Sequence, residues 1–309
     1  MIAIIPLLVL AGIASGPILS NVHAIALRRS LGWLVLIASL AVAHLAMKDA
    51  PPIWRMVAIC CVLLGGMKGL VYAEWARGRG LPFPRYLIFS FLWFGMDPGS
   101  FRVRRKGLGW RQDVVIGMVL MLVGTLGAWL VWAMGWRQIF VMFLPMSLGF
   151  HFGALRVLKG GLRAAGFPVR TLFPNVLKTD GIGDFWSMRW NTGYSQMMQR
   201  AVGRPFGNRF GENWGIMAVF VISGLLHEAA ITLPVQAGFG LPTLYFTLHG
   251  LLTIFERTWN RPIGKIPALL TVILPLSLLF PPAFQTEVIA EFLGVFDFMN
   301  APCSTNISP

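Results

Sequence analysis

His227 and Glu228, adjacent in the stretch SGLLHEAA, are the residues whose position most needs a chemical explanation. They lie in a segment from Asn213 to Val235 that is otherwise largely apolar. Counted from Asn213, His227 is about 21 Å along a helix, which is beyond the midplane of a bilayer core ~30 Å thick. Ionisable side chains at this depth usually line a substrate path, a proton path or a reaction site. The simpler alternative is a polar pair that holds helices together, but the depth favours a functional role.

The residues around His227 narrow the chemistry. Neighbouring helix positions point about 100° apart, so His227 and Glu228 do not face the same point. Ser223 lies one turn earlier on the face of His227, and its hydroxyl is expected to orient the ring. The letters HEAAI resemble the start of the zinc-protease motif HExxH, but Ile231 stands in the place of the second histidine. No metal site is therefore predicted.

The segment DFWSMRWN, from Asp184 to Asn191, combines charged groups, aromatic rings and an amide. Asp184 follows a glycine-rich stretch and is predicted to cap the N-terminus of a helix over 184–200. On that helix Trp186 and Trp190 would share a face. Taken alone, the segment is typical of a Trp-rich helix that lies on the cytoplasmic membrane surface.

The remaining histidines are weaker candidates. His249 lies in YFTLHGLL and His151 in LGFHFGAL, each within a predicted membrane span. A single histidine in a span is more often a packing or hydrogen-bonding group than a catalyst, and this is the first expectation for both. His23 and His44 have still less support.

The elements that must position these residues are membrane-spanning helices. Hydrophobic residues make up 56% of the 309 residues and charged residues 12%, about half the charged share of a soluble domain. The sequence predicts an all-α, polytopic transmembrane bundle of about eight spans in a single domain over 1–309. The predicted spans are 2–22, 31–47, 53–73, 113–135, 138–157, 213–234, 241–256 and 266–282.

Basic residues are distributed asymmetrically between the loops. With the N-terminus outside, Lys and Arg concentrate in the inner loops, and only Lys48 and Arg137 fall outside. The run Pro84–Met96 is flanked by two basic loops, so it is predicted to be re-entrant or interfacial. The acidic run 284–299 is predicted as an interfacial helix or a poor last span. The net charge of +14 then reflects cytoplasmic loops and anionic lipid, and no nucleic-acid partner is predicted.

Two features of the predicted spans have structural explanations. Arg55 and Lys68 lie near the ends of the third span, where snorkelling to the interface explains both. Spacings of the GxxxG type predict close helix packing. They occur at Gly12/Gly16, Gly65/Gly69 and Gly149/Gly153.

A family resemblance extends over the motif region Asp184–Pro282, about a third of the chain. DFWSMRWN, a basic stretch with GRPFG, VFVISGLLHEAAI, YFTLHGLL and LLFPP follow one another in this order. The order resembles the wax synthase-like branch of the membrane-bound O-acyltransferases, which has DFWGRRWN, VSGLxHE, LHG and FFPP. Ser187 and Met188 replace the Gly-Arg of that family, whereas Asn191 and His227 are retained.

The resemblance implies acyl transfer from an acyl-CoA thioester to the hydroxyl of a lipid-like alcohol, with no resident cofactor. His227 is then the catalytic general base in a buried tunnel, and Asn191 assists it. A histidine can take the proton of a weakly nucleophilic alcohol, and an amide can stabilise the thioester oxygen as charge develops there. A dry site also protects the thioester from water. Supporting roles are expected for Ser223, Glu228, His249 and Trp190.

The phosphates of CoA are expected on the cytoplasmic side, because arginine forms bidentate contacts with phosphate. The expected contacts are Arg189, Arg200, Arg204 and, as a weaker candidate, Lys178. The alternative is that these residues meet only lipid headgroups.

Other functions stay open. A transporter or channel would use His227 and Glu228 in a proton or substrate path, but paired helix breaks in two halves of the chain are not seen. A lipid-binding relative without activity is a third alternative, and retention of Asn191 and His227 argues against it. The acceptor alcohol, the acyl length and the oligomeric state are left open. The short chain points to a bacterial inner membrane.

Overall fold

The computed structural model describes residues 3–77, 80–107, 109–136 and 138–294, which are helical and contain no β-strand. Three residues that belong to these predictions lie outside the described residues. They are Arg79 and Arg137, which contribute to the predicted charge asymmetry, and Asp297 in the acidic run 284–299. The helices are α1 (Ile4–Ser20), α2 (Ile25–Ala46), α3 (Pro52–Ala76), α4 (Phe83–Phe91), α5 (Trp110–Ala133), α6 (Ile139–Ser147), α7 (Leu155–Ala164), α8 (Ile182–Asp184), α9 (Thr192–Met198), α10 (Arg204–Phe210), α11 (Glu212–His227), α12 (Leu233–Val235), α13 (Leu241–Thr258), α14 (Lys265–Ile273), α15 (Leu276–Leu279), α16 (Pro282–Phe284) and α17 (Ala290–Leu293).

Seven of the eight predicted spans coincide with a helix or a continuous helical stretch, whereas the eighth, 266–282, is divided among α14, α15 and the first residue of α16. Within the described residues, five stretches are long and apolar enough to cross a membrane, and a sixth is reached if one pair bent by 80° counts as one span. The five are Ile25–Ala46, Pro52–Ala76, Trp110–Ala133, Ile139–Ala164 and Glu212–Val235, and the bent pair is Lys265–Leu279 with Pro282–Leu293. α1, with 17 residues, and α13 fall outside this set. The structure supports an all-helical membrane protein, whereas eight crossings stay a prediction.

Glycines allow the first and third helices to touch. A Cβ atom built on Gly69 would lie 2.1 Å from the carbonyl oxygen of Gly12, and one on Gly12 would lie 2.8 Å from the nitrogen of Gly66. Between α5 and the helical stretch after α6, a Cβ on Gly153 would lie 2.7 Å from the nitrogen of Met121. The predicted close packing is confirmed, because any side chain at these positions would push the backbones apart.

α4 is too short to cross a membrane, which agrees with the re-entrant or interfacial prediction for Pro84–Met96. Its nine residues extend about 14 Å at ~1.5 Å per residue. Lys68 of α3 is fully buried beneath it and donates to the carbonyl oxygens of Phe89 (2.9 Å) and Gly95 (2.7 Å). The prediction that Lys68 snorkels is wrong, because carbonyl groups left open where α4 ends bind the ammonium inside the protein.

Arg55 is also turned inward, so the snorkelling prediction is wrong for this residue as well. Its side chain is buried, and its guanidinium donates to the carbonyl oxygen of Leu233 at 3.4 Å. That carbonyl belongs to α12, so Arg55 ties α3 to the chain that follows His227.

Turns of π-helix interrupt or extend the helices at five places in the described part of the chain. They are Leu148–Ala154, Phe185–Arg189, Gln199–Gly203, Glu228–Thr232 and Gln285–Ile289. Four of them contain or adjoin residues that the sequence singles out, namely His151, Trp190, Arg200 and His227. Such turns are frequent near functional sites, because they alter the direction of the side chains that follow.

The segment that contains α8 and α9 lies inside the bundle. Ile182, Phe185, Met197 and Met198 are each at most 2% exposed. They pack against the core formed by α3, α4 and α14. DFWSMRWN therefore packs into the bundle through Phe185 and its two Trp rings, while Ser187 and Met188 stay exposed, and the buried apolar residues bring this segment towards α11.

Candidate active site

A cavity of about 520 Å³ lies between α3, α11, α13 and the segment from Gly183 to Arg204. It brings together six residues that the sequence predicts for the site. They are Trp190, Asn191, Ser223, His227 and the arginine pair Arg200 and Arg204. Apolar side chains of α3 and α11, including Leu63, Met67 and Leu226, form another part of the wall.

The ring of His227 is fixed by the backbone one turn earlier. Its Nδ1 lies 2.7 Å from the carbonyl oxygen of Ser223. A carbonyl oxygen only accepts, so Nδ1 must donate its proton there, and the Nε2 of the neutral ring keeps a free lone pair. The Phe246 ring packs 4.3 Å from the imidazole, centre to centre. His227 thus lines the cavity in the tautomer whose Nε2 is able to accept a hydrogen bond.

The prediction for the Ser223 hydroxyl is wrong in its detail. The backbone carbonyl of Ser223, rather than its side chain, orients His227. The hydroxyl instead accepts a hydrogen bond from the Tyr194 hydroxyl at 3.1 Å. A helical residue offers both groups to a position four residues later, and sequence spacing does not tell which is used.

Glu228 points away from His227 and joins two helical elements. Its carboxylate accepts hydrogen bonds from the Thr232 hydroxyl (2.6 Å), the Thr243 backbone nitrogen (3.0 Å) and the Thr243 hydroxyl (2.9 Å). These contacts tie the π-helical turn after His227 to the first turn of α13. Glu228 is not among the residues that line the cavity, so its contacts support the helices that form the cavity.

Asn191 stands at a break in the chain. Its φ of 43° is left-handed, which asparagine tolerates better than most residues. Its Oδ1 accepts a hydrogen bond from the Tyr194 nitrogen at 3.3 Å and so caps α9. The predicted continuous helix over 184–200 is therefore wrong. The π-helical turn ends at Arg189, Trp190 is extended, and Asn191 after this break lines the cavity.

Asp184 does not cap a helix as predicted. It lies inside α8, which has Gly181 before its first residue. Its carboxylate instead accepts from the guanidinium of Arg189 at 3.0 Å. Arg189 is thus paired with Asp184 and is absent from the residues that line the cavity.

Glu256 of α13 binds the start of α8, a role that sequence reasoning missed. Its carboxylate accepts from the backbone nitrogens of Ile182 (3.0 Å), Gly183 (2.9 Å) and Ile263 (3.0 Å). A Cβ atom on Gly181 would lie 2.2 Å from its Oε1. Glu256 follows His249 by two helical turns on the same face, and that spacing was the available signal.

Aromatic rings of the motifs pack against one another and against rings of neighbouring helices. Trp190 lies 5.2 Å from the His151 ring and 4.9 Å from the Phe173 ring, centre to centre. His249 is 1% exposed and lies beneath Trp186, at 5.5 Å. The two nitrogens of His249 contact the carbonyl oxygens of Tyr245 (2.8 Å) and Thr271 (3.2 Å). Neither His151 nor His249 lines the cavity.

A second cavity of about 540 Å³ shares Arg200 and Arg204 with the first. Its other lining residues come from α2, α3 and α10, and are Arg29, Glu74, Trp75, Arg77, Pro205 and Asn208. Glu74 pairs with Arg29 at 3.0 Å, so this cavity keeps an excess of positive charge. Lys178, exposed on a short 3₁₀ turn, lines neither cavity. No group of three potential metal ligands occurs in the residues that the structure describes.

A family model described as "Membrane bound O-acyl transferase family" matches residues 169–248. The match includes Asn191 and His227 and ends before His249. It supports a membrane-bound O-acyltransferase. It does not test the wax synthase-like branch. Among curated proteins, no match is found.

Proposed function

We propose that this protein transfers an acyl group from acyl-CoA to the hydroxyl of a lipid-like alcohol, with His227 as the general base. The observation on which this rests is the state of His227. Its Nδ1 proton is used on the Ser223 carbonyl, and its other nitrogen is left for a cavity that Asn191, Arg200 and Arg204 also line. A base beside an amide donor and a cationic opening fits acyl transfer from a thioester with a charged leaving group.

The step conserves atoms and electrons with these residues alone. The Nε2 of His227 accepts the alcohol proton while the alcohol oxygen bonds to the thioester carbon. The carbonyl electron pair moves onto oxygen, where the Asn191 amide group donates a hydrogen bond to it. The pair then returns, the carbon–sulfur bond breaks, and CoA leaves as a thiol with the proton held by His227. The products are an ester and free CoA.

The second cavity supports CoA as the carrier of the acyl group. CoA has several phosphate charges and an adenine ring. The cavity supplies Arg77, Arg200 and Arg204 for the phosphates and Trp75 for stacking. Because both cavities share Arg200 and Arg204, a donor can lay its nucleotide in the second cavity and its thioester in the first. Arg189 and Lys178 are left out of this site.

The acceptor is proposed to arrive from the bilayer. The apolar wall formed by Leu63, Met67 and Leu226 suits an acyl or alkyl chain, because burial of each CH₂ contributes about 0.8 kcal/mol. A long-chain alcohol, which would yield a wax ester, is therefore the first acceptor to test. The proposed location is a bacterial inner membrane, with the arginine-rich side facing the cytoplasm.

The test is release of free CoA by the purified protein in detergent or lipid nanodiscs. Acyl-CoA donors of increasing chain length are combined with a long-chain alcohol, a sterol, a terpenoid alcohol and a sugar. We expect release that depends on the alcohol, together with the corresponding ester by mass spectrometry. Binding or vesicle transport of these molecules without ester formation, under any of these combinations, would contradict the proposal.

A further inference from the structure

Tyr194 lies in the cavity wall and has no part in the function proposed above. Its backbone nitrogen donates to Oδ1 of Asn191 at 3.3 Å, and its hydroxyl donates to Oγ of Ser223 at 3.1 Å. Its ring stands edge-on to the imidazole of His227, with the centres 6.5 Å apart. Tyr194 thus contacts three polar residues that line the cavity, Asn191 through its backbone and Ser223 and His227 of α11 through its side chain.

The hydroxyl groups of Tyr194 and Ser223 leave one proton that can be donated to a ligand. Tyr194 and Ser223 together have two hydroxyl protons, and a hydrogen bond between them uses one. Within the described part of the chain, no acceptor is recorded for the other. Burial raises the pKa of the Tyr194 hydroxyl above its ordinary value, so both protons are present at neutral pH. Both residues line the cavity, so a bound molecule can accept the spare proton's hydrogen bond.

We infer that the Tyr194–Ser223 hydroxyl pair is a second hydrogen-bond donor for the carbonyl oxygen of the acyl group, beside Asn191. This inference rests on the proposed acyl transfer. An oxygen that gains negative charge accepts more than one hydrogen bond, and acyl-transfer sites gain most when donors are already in place. Asn191 has only its Nδ2 group to donate to this oxygen, since its Oδ1 is an acceptor and caps α9.

The position of the pair relative to His227 favours this role. Ser223 lies one turn before His227 on the same face of α11, and its carbonyl fixes the imidazole. The base and the hydroxyl pair are therefore held at a constant separation by one helical turn. The carbonyl oxygen of the thioester is bonded to the carbon that the alcohol oxygen near Nε2 approaches. A base and a donor must thus face one small region of the cavity.

The pair does not exchange protons with the substrate. As the alcohol oxygen bonds to the carbonyl carbon, the carbonyl electron pair moves onto oxygen, and the hydrogen bond from the pair becomes charge-assisted. When the carbon–sulfur bond breaks, that electron pair returns and the hydrogen bond weakens. His227 moves the only transferred proton, from the alcohol to the thiol of CoA. Tyr194 and Ser223 finish with the protons they had at the start.

The experiment compares Tyr194→Phe, Ser223→Ala and the double variant in the CoA-release assay. Tyr194→Phe removes one hydroxyl and keeps the ring and the cap from Asn191. Loss of one such donor lowers kcat by about 10²- to 10³-fold in other enzymes. We expect about 10²-fold for Ser223→Ala and about 10-fold for Tyr194→Phe, which loses only the partner. The double variant is expected to lose no more than Ser223→Ala, because the pair acts as a unit.

Two further readouts separate this role from a structural one. The KM for both substrates should stay within about twofold, because the donor acts in the transition state. The acid limb of the pH profile should not move, because His227 is unchanged. Tyr245→Phe is the matched control, since it removes a buried tyrosine hydroxyl that donates to the Val272 carbonyl at 3.0 Å, away from the cavity. Its kcat should remain near that of the original protein.

Several outcomes would overturn the inference. These are unchanged kcat in Ser223→Ala, additive losses in the double variant, a loss expressed in KM, or an equal loss in Tyr245→Phe. If Tyr194→Phe does not fold, Ser223→Ala decides alone by the same measures. If the unaltered protein releases CoA and needs His227, but these variants do not show the expected losses of kcat, only this inference falls. If the unaltered protein forms no ester, the proposed function falls and takes the inference with it.

Discussion

Lys68 and His227 are two ionisable residues placed in apolar helices, and the structure treats them differently. The Lys68 ammonium donates to two backbone carbonyl groups and lies 3.9 Å from the centre of the Phe89 ring. His227 has one nitrogen on a backbone carbonyl, and its ring lines a cavity. Lys68 joins α3 to α4, whereas His227 keeps an unused acceptor where a substrate can lie.

The difference shows how a costly buried group can be assigned a role. A side chain whose polar atoms are all satisfied by the backbone stabilises the packing of helices. A side chain with one satisfied atom and one free atom in a cavity is a candidate for chemistry. The sequence placed His227 deep in its span and Lys68 near the end of its span, but only their hydrogen-bond partners show that one joins helices and the other lines a cavity.

Replacing His227 should have the largest effect on turnover. His227→Ala removes the base, so it is expected to lower kcat by at least about 10³-fold, within the range for general bases. Folding should be retained, because the ring makes one hydrogen bond, within its own helix. CoA release and thermal unfolding of the purified variant measure the two quantities. His249→Ala is the contrasting variant, and turnover that survives in His227→Ala but vanishes in His249→Ala would reverse the assignment.

Changing the shared arginine should have a smaller effect, and mainly on the donor. Arg204→Ala removes a charged contact worth about 1.5–3 kcal/mol, which corresponds to roughly a 10- to 100-fold rise in the KM for acyl-CoA. A donor on a short pantetheine without the nucleotide should be affected less. Arg189→Ala is the matched control, because its guanidinium is paired with Asp184 outside the cavity. If Arg204→Ala and Arg189→Ala changed the KM for both donors equally, Arg204 would be assigned only a role in membrane topology.

Replacing Lys68 should have the smallest effect on chemistry and a clear effect on stability. Lys68→Met leaves the carbonyl groups of Phe89 and Gly95 without their donor, at roughly 1–3 kcal/mol for each buried group. The midpoint of thermal unfolding in detergent should fall, while kcat per folded molecule stays within about twofold. A large loss of kcat in a stable Lys68→Met variant would break the contrast between the two residues.

Hydropathy and charge in the sequence predicted the positions of the helices, because a membrane imposes long apolar segments. The glycine spacings also predicted the contact between α1 and α3. The family motifs singled out Asn191 and His227 before any geometry was known. These features are local in the sequence, and each has a direct physical signature.

Contacts between distant segments were not predictable in the same way. Glu256 binds Ile182 and Gly183 from more than seventy positions away, and Lys68 binds carbonyl groups in and just after the short helix α4. Tyr194 enters the site only because the chain breaks at Asn191. A buried polar residue finds whichever partner the fold brings close, and helical periodicity within its own segment does not identify that partner.

The π-helical turn Glu228–Thr232 has a consequence for comparing this chain with relatives. A turn closed by i→i+5 bonds holds one residue more than an α-helical turn, so it is equivalent to a single-residue insertion directly after His227. Removing that residue would rotate everything beyond it by about 100° relative to the histidine. The first turn of α13 would then no longer meet Glu228. A change of length in this stretch therefore disrupts a contact that a substitution of Ala229 or Ala230 would keep.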